Sequence, residues 1–106
     1  MISMETIREM AGKIVEAFQP ERIILFGSYA RGTAVEDSDV DLLVVSHDAR
    51  PRPKRSVPIY GLLRDYYIGK DILVYTPEEI DEYRELKPSL IYRAFHEGIV
   101  LYEKHD

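Results

Sequence analysis

Ile23-Ile24-Leu25-Phe26-Gly27-Ser28-Tyr29-Ala30-Arg31-Gly32, followed by Ser38-Asp39-Val40-Asp41-Leu42-Leu43-Val44-Val45, are the stretches on which the reading of this chain turns. Arg22 to Phe26 is a short run rich in β-formers, ended by Gly27, and predicts a buried strand. Val40 to Val45 predicts a second strand, whose period of two puts Asp39 and Asp41 on one face and Val40 and Leu42 on the other. Leu43 and Val45 continue the aspartate face as apolar surface. The strand is therefore expected to be buried on both sides, with a polar spot only at its entrance. Between the two strands, Ser28 to Gly32 reads as one helical turn or a tight loop, and Thr33 to Ser38 as a surface connection.

Upstream, Met4, Ile7, Met10, Ala11, Ile14, Val15 and Phe18 have the spacing of one helical face. Ser3 can cap that helix, Glu5 suits its positive end, and Pro20 stops it. Downstream, His47 to Pro58 carries Arg50, Arg52, Lys54 and Arg55 among three prolines and reads as an exposed, mobile loop. Val57 to Tyr67 has helical spacing despite Gly61, Gly69-Lys70 is a turn, and Asp71 to Tyr75 is a third strand. Thr76-Pro77-Glu78-Glu79 combines an N-cap threonine, a proline at the first helical position and a glutamate at the third, so a helix to about Leu86 is expected. Pro88 to Glu97 predicts another helix, Gly98 its C′ residue, and Ile99 to Tyr102 a last strand. The resulting order, α-β-(loop)-β-α-β-α-α-β, predicts a single α/β (α+β) domain over residues 1–106.

At 106 residues, 45% of them hydrophobic, the chain can bury one core and not two. A net charge of −5 argues against a surface that grips nucleic acid throughout. The absence of cysteine excludes disulfides and thiolate zinc sites. No apolar run approaches the ~20 residues of a membrane span, and Met1 to Glu5 lacks the features of a secretory signal. A cytoplasmic domain without membrane contact is the expectation.

Asp39 and Asp41 project to the same side of their strand, and their repulsion is costly unless a cation lies between them. Asp71 can reach the same point if the third strand neighbours the second. Magnesium takes hard oxygen ligands and keeps several waters, so two or three aspartates suffice. Two such ions about 3.5–4 Å apart serve both oxygens of a phosphoryl displacement. Gly27 allows the backbone close to a phosphate, and the Ser28 hydroxyl with the following N–H groups can bind phosphate oxygens. These residues together predict a metal-dependent nucleotidyl-transfer site.

Gly27-Ser28, ten intervening residues and then Asp39-Val40-Asp41 resembles the signature of the DNA polymerase β-like nucleotidyltransferase superfamily. Gly-Ser-Tyr-Ala-Arg-Gly and Ser-Asp-Val-Asp-Leu-Leu-Val look most like its small stand-alone members, the minimal nucleotidyltransferases. The likeness extends to the leading helix, Asp71 and the Glu97-to-Tyr102 ending. It implies a mixed sheet flanked by helices, ATP as substrate, two magnesium ions on Asp39, Asp41 and Asp71, and Gly27 and Ser28 at the triphosphate. It further implies an antitoxin that transfers AMP to a tyrosine of a HEPN ribonuclease toxin, with which a hetero-oligomer can form. A non-catalytic antitoxin that acts by occlusion, and transfer to RNA or a small molecule, are the alternatives.

Single features also have plainer readings. A Gly-Ser turn serves any strand exit, an Asp-x-Asp any solvated strand entrance, and Lys70-Asp71 any surface turn. Arg31 can contact a phosphate or a partner, or simply cover the surface. Ser38 reads as a turn residue, Arg50 to Arg55 as a solvated loop or a basic arm, and the tyrosines as packing.

Overall fold

The computed structural model describes residues 1–105. Its leading helix, α1 (Met4–Phe18), starts where Ser3 accepts a hydrogen bond from the Thr6 N–H at 3.1 Å. It ends with Gln19 in the left-handed region (φ 49°), the Gln19 N–H donating to the Val15 carbonyl at 2.9 Å. Pro20 thus follows a formed cap rather than breaking the helix by itself.

Four strands, β1 (Arg22–Phe26), β2 (Val40–Val45), β3 (Lys70–Tyr75) and β4 (Ile99–Glu103), form one mixed sheet in the order β3-β2-β1-β4. β1 runs antiparallel to β2 and β4, whereas β2 and β3 are parallel. Alternation along the strands sorts the core into two layers. Ile23, Leu25, Val40, Leu42, Val44, Ile72 and Val74 meet Ile7, Met10, Ala11 and Ile14 of α1. Ile24, Leu43 and Val45 face the other way, against Ile80 of α5 (Pro77–Tyr83) and Ile91 and Ala94 of α6 (Leu90–Glu97). A helix-flanked mixed sheet is the expected architecture, and β2 is buried on both faces as its composition requires.

The segment expected to be a mobile loop is not one. It contains two short helices, α3 (Arg52–Arg55) and α4 (Val57–Leu62), with Ile59 of α4 in the α1-side core. Arg55 is only 8% exposed. Its guanidinium donates to the carbonyls of Arg50 (2.8 Å) and Val74 (3.2 Å) and to Glu79 Oε1 (2.6 Å). Arg52 pairs with Glu79 at 3.1 Å and lies 4.2 Å from the Tyr75 ring centroid. Buried charge is tolerated when its donors are satisfied, so Arg52 and Arg55 hold this arm to β3 and α5, while Arg50 pairs locally with Asp48.

The helix expected to reach Tyr67 ends at Leu62, and turns carry the chain to β3. The Tyr60 hydroxyl accepts the outward N–H of Ile72 at 2.8 Å. The Thr76–Glu79 capping box forms as read, with α5 shorter than expected. Gly98 differs in its reason: its φ of −81° is ordinary for any residue. A Cβ there would overlap the carbonyl oxygen of Ala94 and come within 2.8 Å of that of Leu25. It is required by the close passage of α6 over β1, not by a left-handed cap.

Candidate active site

Strand direction gathers the candidate residues. β1 leaves the sheet at Phe26 where the antiparallel β2 enters, and the parallel β3 enters beside it. The register pairs Phe26 with Asp41, and Asp41 with Asp71. Asp39 precedes β2, and its neighbour Val40 donates its N–H to the Gly69 carbonyl at 2.9 Å. Asp41 and Asp71 share the sheet face of Leu43, Val45, Leu73 and Tyr75, the side covered by α5 and α6.

Gly27 is required twice over. Its backbone lies at φ 76°, ψ −156°, a region essentially closed to residues with a Cβ. A Cβ would also overlap Asp41 Oδ2 and lie 3.1 Å from Asp41 Cγ, so the carboxylate rests directly against the glycine. Ser28–Arg31 forms one helical turn, α2, closed by Gly32 at φ 75°, whose N–H donates to the Ser28 carbonyl. The first-turn N–H groups of α2 have no partner within the helix, and α2 begins directly after Gly27, against which Asp41 rests. Arg31 is exposed, and its charge reaches Asp41. Ser38 serves a turn: its hydroxyl accepts the Val35 N–H at 2.8 Å.

Gly69, a turn residue by its sequence, has a second function in the fold. A Cβ at Gly69 would overlap Asp39 Oδ1, so Asp39 rests on Gly69 as Asp41 rests on Gly27. The signal was a glycine two residues before Asp71, which acquires meaning only once β3 is known to pair with β2.

Asp41 is held at a pKa of about 6, against 3.8 for a free aspartate. Burial is the main cause, the charges of Asp71 and Asp39 add to it, and Arg31 opposes it. The carboxylates therefore sense one another. Among the described residues, however, no group of three or more His, Cys, Asp or Glu side chains is drawn together closely enough to form a metal cage. The donor chemistry still suits magnesium, which is bound through one or two carboxylates with waters and substrate phosphates rather than by an all-protein cage.

A cavity of about 150 Å³ adjoins Gly27 and is lined by Phe26, Gly27, Arg31, Leu90, Arg93 and Glu97. A larger one, about 350 Å³, lies where β1 begins and β2 ends, lined by residues such as Arg22, His47 and Arg84. It is remote from the aspartates. Size is the weaker guide here, because phosphate chemistry needs charge and close backbone approach more than enclosed volume.

The structure thus places the Gly27-Ser28 turn against Asp41 and aligns Asp41 with Asp71 on the parallel strand. The family model for the nucleotidyltransferase domain matches residues 7–104, and the chain belongs to that family. Among curated proteins, "Putative protein adenylyltransferase MJ1305" of Methanocaldococcus jannaschii is 65% identical over 43 residues, 41% of this chain and 27% of that protein. "Putative protein adenylyltransferase MJ0141" of the same organism is 43% identical over 54 residues, 51% of this chain and 54% of that protein. The matches thus span about a quarter and about half of those relatives. Among solved structures, that of a toxin–antitoxin with AMP-PNP has a TM-score of 0.67 at 22% identity, covering 92% of this chain and 74% of the other. A mutant of the toxin–antitoxin MntA-HpeT has a TM-score of 0.63 at 18% identity, covering 98% and 76%. These structural likenesses establish the fold.

Proposed function

We propose that this chain is a magnesium-dependent protein adenylyltransferase that moves AMP from ATP to a tyrosine of a cognate HEPN-type toxin and so acts as an antitoxin. The observation that carries the chemistry is the position of Asp41, wedged between Gly27 and the registered Asp71, with Asp39 two residues away. The names of the curated relatives support protein as the acceptor, and the structural neighbours support a toxin partner and a bound adenine nucleotide. The cavity adjoining Gly27 is small, about 150 Å³, which suits an acceptor that brings its own surface.

In this reading Gly27 admits the triphosphate close to the backbone, the Ser28 hydroxyl and the first N–H groups of α2 bind its oxygens, and Arg31 offsets its charge. Asp39, Asp41 and Asp71 would hold magnesium, which when bound neutralises charge on the phosphates and activates the acceptor oxygen. Asp71, at the exposed edge of the group, orients the tyrosine hydroxyl of the partner and accepts its hydrogen bond. The phenol oxygen forms a bond to the α-phosphorus as the bond to the bridging oxygen breaks. Pyrophosphate leaves, and the phenolic proton passes to solvent by way of Asp71.

Labelled ATP, magnesium and the partner toxin test this: label is expected on a toxin tyrosine, and its absence beside an active control enzyme refutes the assignment. The lack of a closely drawn three-carboxylate group favours one second reading, neutralisation of the toxin by binding alone. Under it, Asp39→Asn with Asp41→Asn still protects cells. Under the catalytic reading, protection and labelling are lost together.

A further inference from the structure

The cavity beside Gly27 contains a second arginine that no role described above uses. Arg93 of α6 lines it together with Arg31, Phe26, Leu90 and Glu97. Both arginines are exposed, and among the described residues neither is engaged in an ion pair. Four other arginines are committed: Arg22 to Glu103, Arg50 to Asp48, and Arg52 and Arg55 to Glu79. Arg8, Arg64 and Arg84 are, among the described residues, also without an ion pair, but they line no cavity at Gly27. Two guanidiniums without an ion pair thus face one small cavity, whose other walls are Gly27, the apolar Phe26 and Leu90, and Glu97.

Position along the sheet gives their order. Asp71, Asp41 and Gly27 succeed one another from β3 to β2 to the end of β1, and α6 packs against β1 beyond them. A nucleotide with its reacting phosphorus at the carboxylates and its chain over Gly27 points its terminal phosphates toward α6. The cavity, at about 150 Å³, is below the ~300 Å³ at which pockets begin to enclose drug-sized ligands. It suits a phosphate group and not a nucleoside.

We infer that Arg93 is a substrate-binding residue that, with Arg31, clamps the β- and γ-phosphates of the nucleotide donor. This rests on the nucleotidyl-transfer reading above and deepens it. An arginine fork matches phosphate oxygens with two parallel donors, and here two forks line one cavity, Arg31 from α2 and Arg93 from α6. Binding is directed at the part of ATP that becomes pyrophosphate, so the clamp selects triphosphate over monophosphate. Glu97, one helical turn after Arg93, keeps the unliganded cavity from being wholly cationic, and it opposes phosphate there.

Titration calorimetry with magnesium and a non-hydrolysable ATP analogue, and separately with AMP, tests the assignment. Arg93→Ala and Arg93→Gln are expected to weaken the triphosphate about ten- to a hundredfold, the range for hydrogen bonds to charged groups, and to leave AMP unchanged. Glu97→Gln should tighten the triphosphate. Arg84→Ala, in the cavity at the other end of the sheet, should match the wild type. Equal binding of the triphosphate by wild type and both Arg93 variants overturns the inference alone, as does an equal loss for triphosphate and AMP. No triphosphate binding by the wild type removes the nucleotidyl-transfer reading and this inference together. Arg93 is exposed, and circular dichroism of each variant separates a binding loss from a folding one.

Discussion

Asp41→Asn should make the metal-free chain more stable while removing its activity. In the folded chain Asp41 has a pKa of about 6 against 3.8 when free. A carboxylate shifted upward binds its proton more tightly folded than unfolded, so stability falls as pH rises from 3.8 to about 6 and the full penalty persists above that window. Roughly 2 units at ~1.4 kcal/mol each gives a ceiling near 3 kcal/mol. Asp41 is only half-buried, and solvent screening reduces this to about 1–2 kcal/mol. For a domain of this size such a gain is a rise of roughly 5–10 °C in Tm. Asparagine is nearly isosteric, so it keeps the contact with Gly27 while losing the charge. The assay is thermal denaturation with a chelator, at neutral pH and again near pH 4, where wild-type Asp41 is already protonated when folded. The gain should be present at neutral pH and largely gone in acid. Magnesium should then stabilise the wild type more than the variant. A variant no more stable than wild type at neutral pH, or a gain that survives unchanged in acid, would refute the claim that burial, together with the charges of Asp71 and Asp39, strains the ionised form of Asp41.

Gly27→Ala should lower both stability and transfer, since it strains a backbone at φ 76° and displaces Asp41; a melt and a labelling assay with the partner check this, and an unaltered rate would overturn it. Gly69→Ala should move Asp39 and cut transfer at least about tenfold, with a smaller effect on Tm than Gly27→Ala. Arg55→Ala should cost roughly 2–4 kcal/mol in chemical denaturation, because it leaves Glu79 half-buried without its main partner. The Arg55 guanidinium holds Glu79 down at about 2, from 4.5. Its stabilisation is therefore present above pH 4.5 and lost as pH falls toward 2. The Arg55→Ala curve should be flatter than wild type across that interval.

Gly27-Ser28 and Asp39-Val40-Asp41 were legible because their meaning is local. A turn glycine and an alternating strand fix which side chains share a face before any partner strand is known. The α1 pattern and the Thr76–Glu79 capping box are equally local. Gly69, Gly98 and Arg55 could not be read this way, because each answers to a neighbour far along the chain: Asp39, the Leu25 carbonyl, and Glu79 with the Val74 carbonyl. Composition also misled at Arg50 to Arg55, where four basic residues among prolines describe a solvated loop unless an acid elsewhere is positioned to receive them. Asp71 lies between the two cases. Its place at a strand entrance was readable, while its alignment with Asp41 depended on the parallel pairing of β2 with β3.

The two side chains that meet the outer rim of β3 have a consequence for assembly. Tyr60 occupies the outward N–H of Ile72 and Arg55 the outward carbonyl of Val74, so an incoming strand finds these hydrogen-bonding positions already taken. On β4 no side chain of the described residues plays that part, and Val100 stands 51% exposed there. Extension of the sheet by a foreign strand is thereby directed to the β4 rim. That rim is separated from Asp71 by the full width of the sheet, so a chain added there leaves the carboxylate edge open.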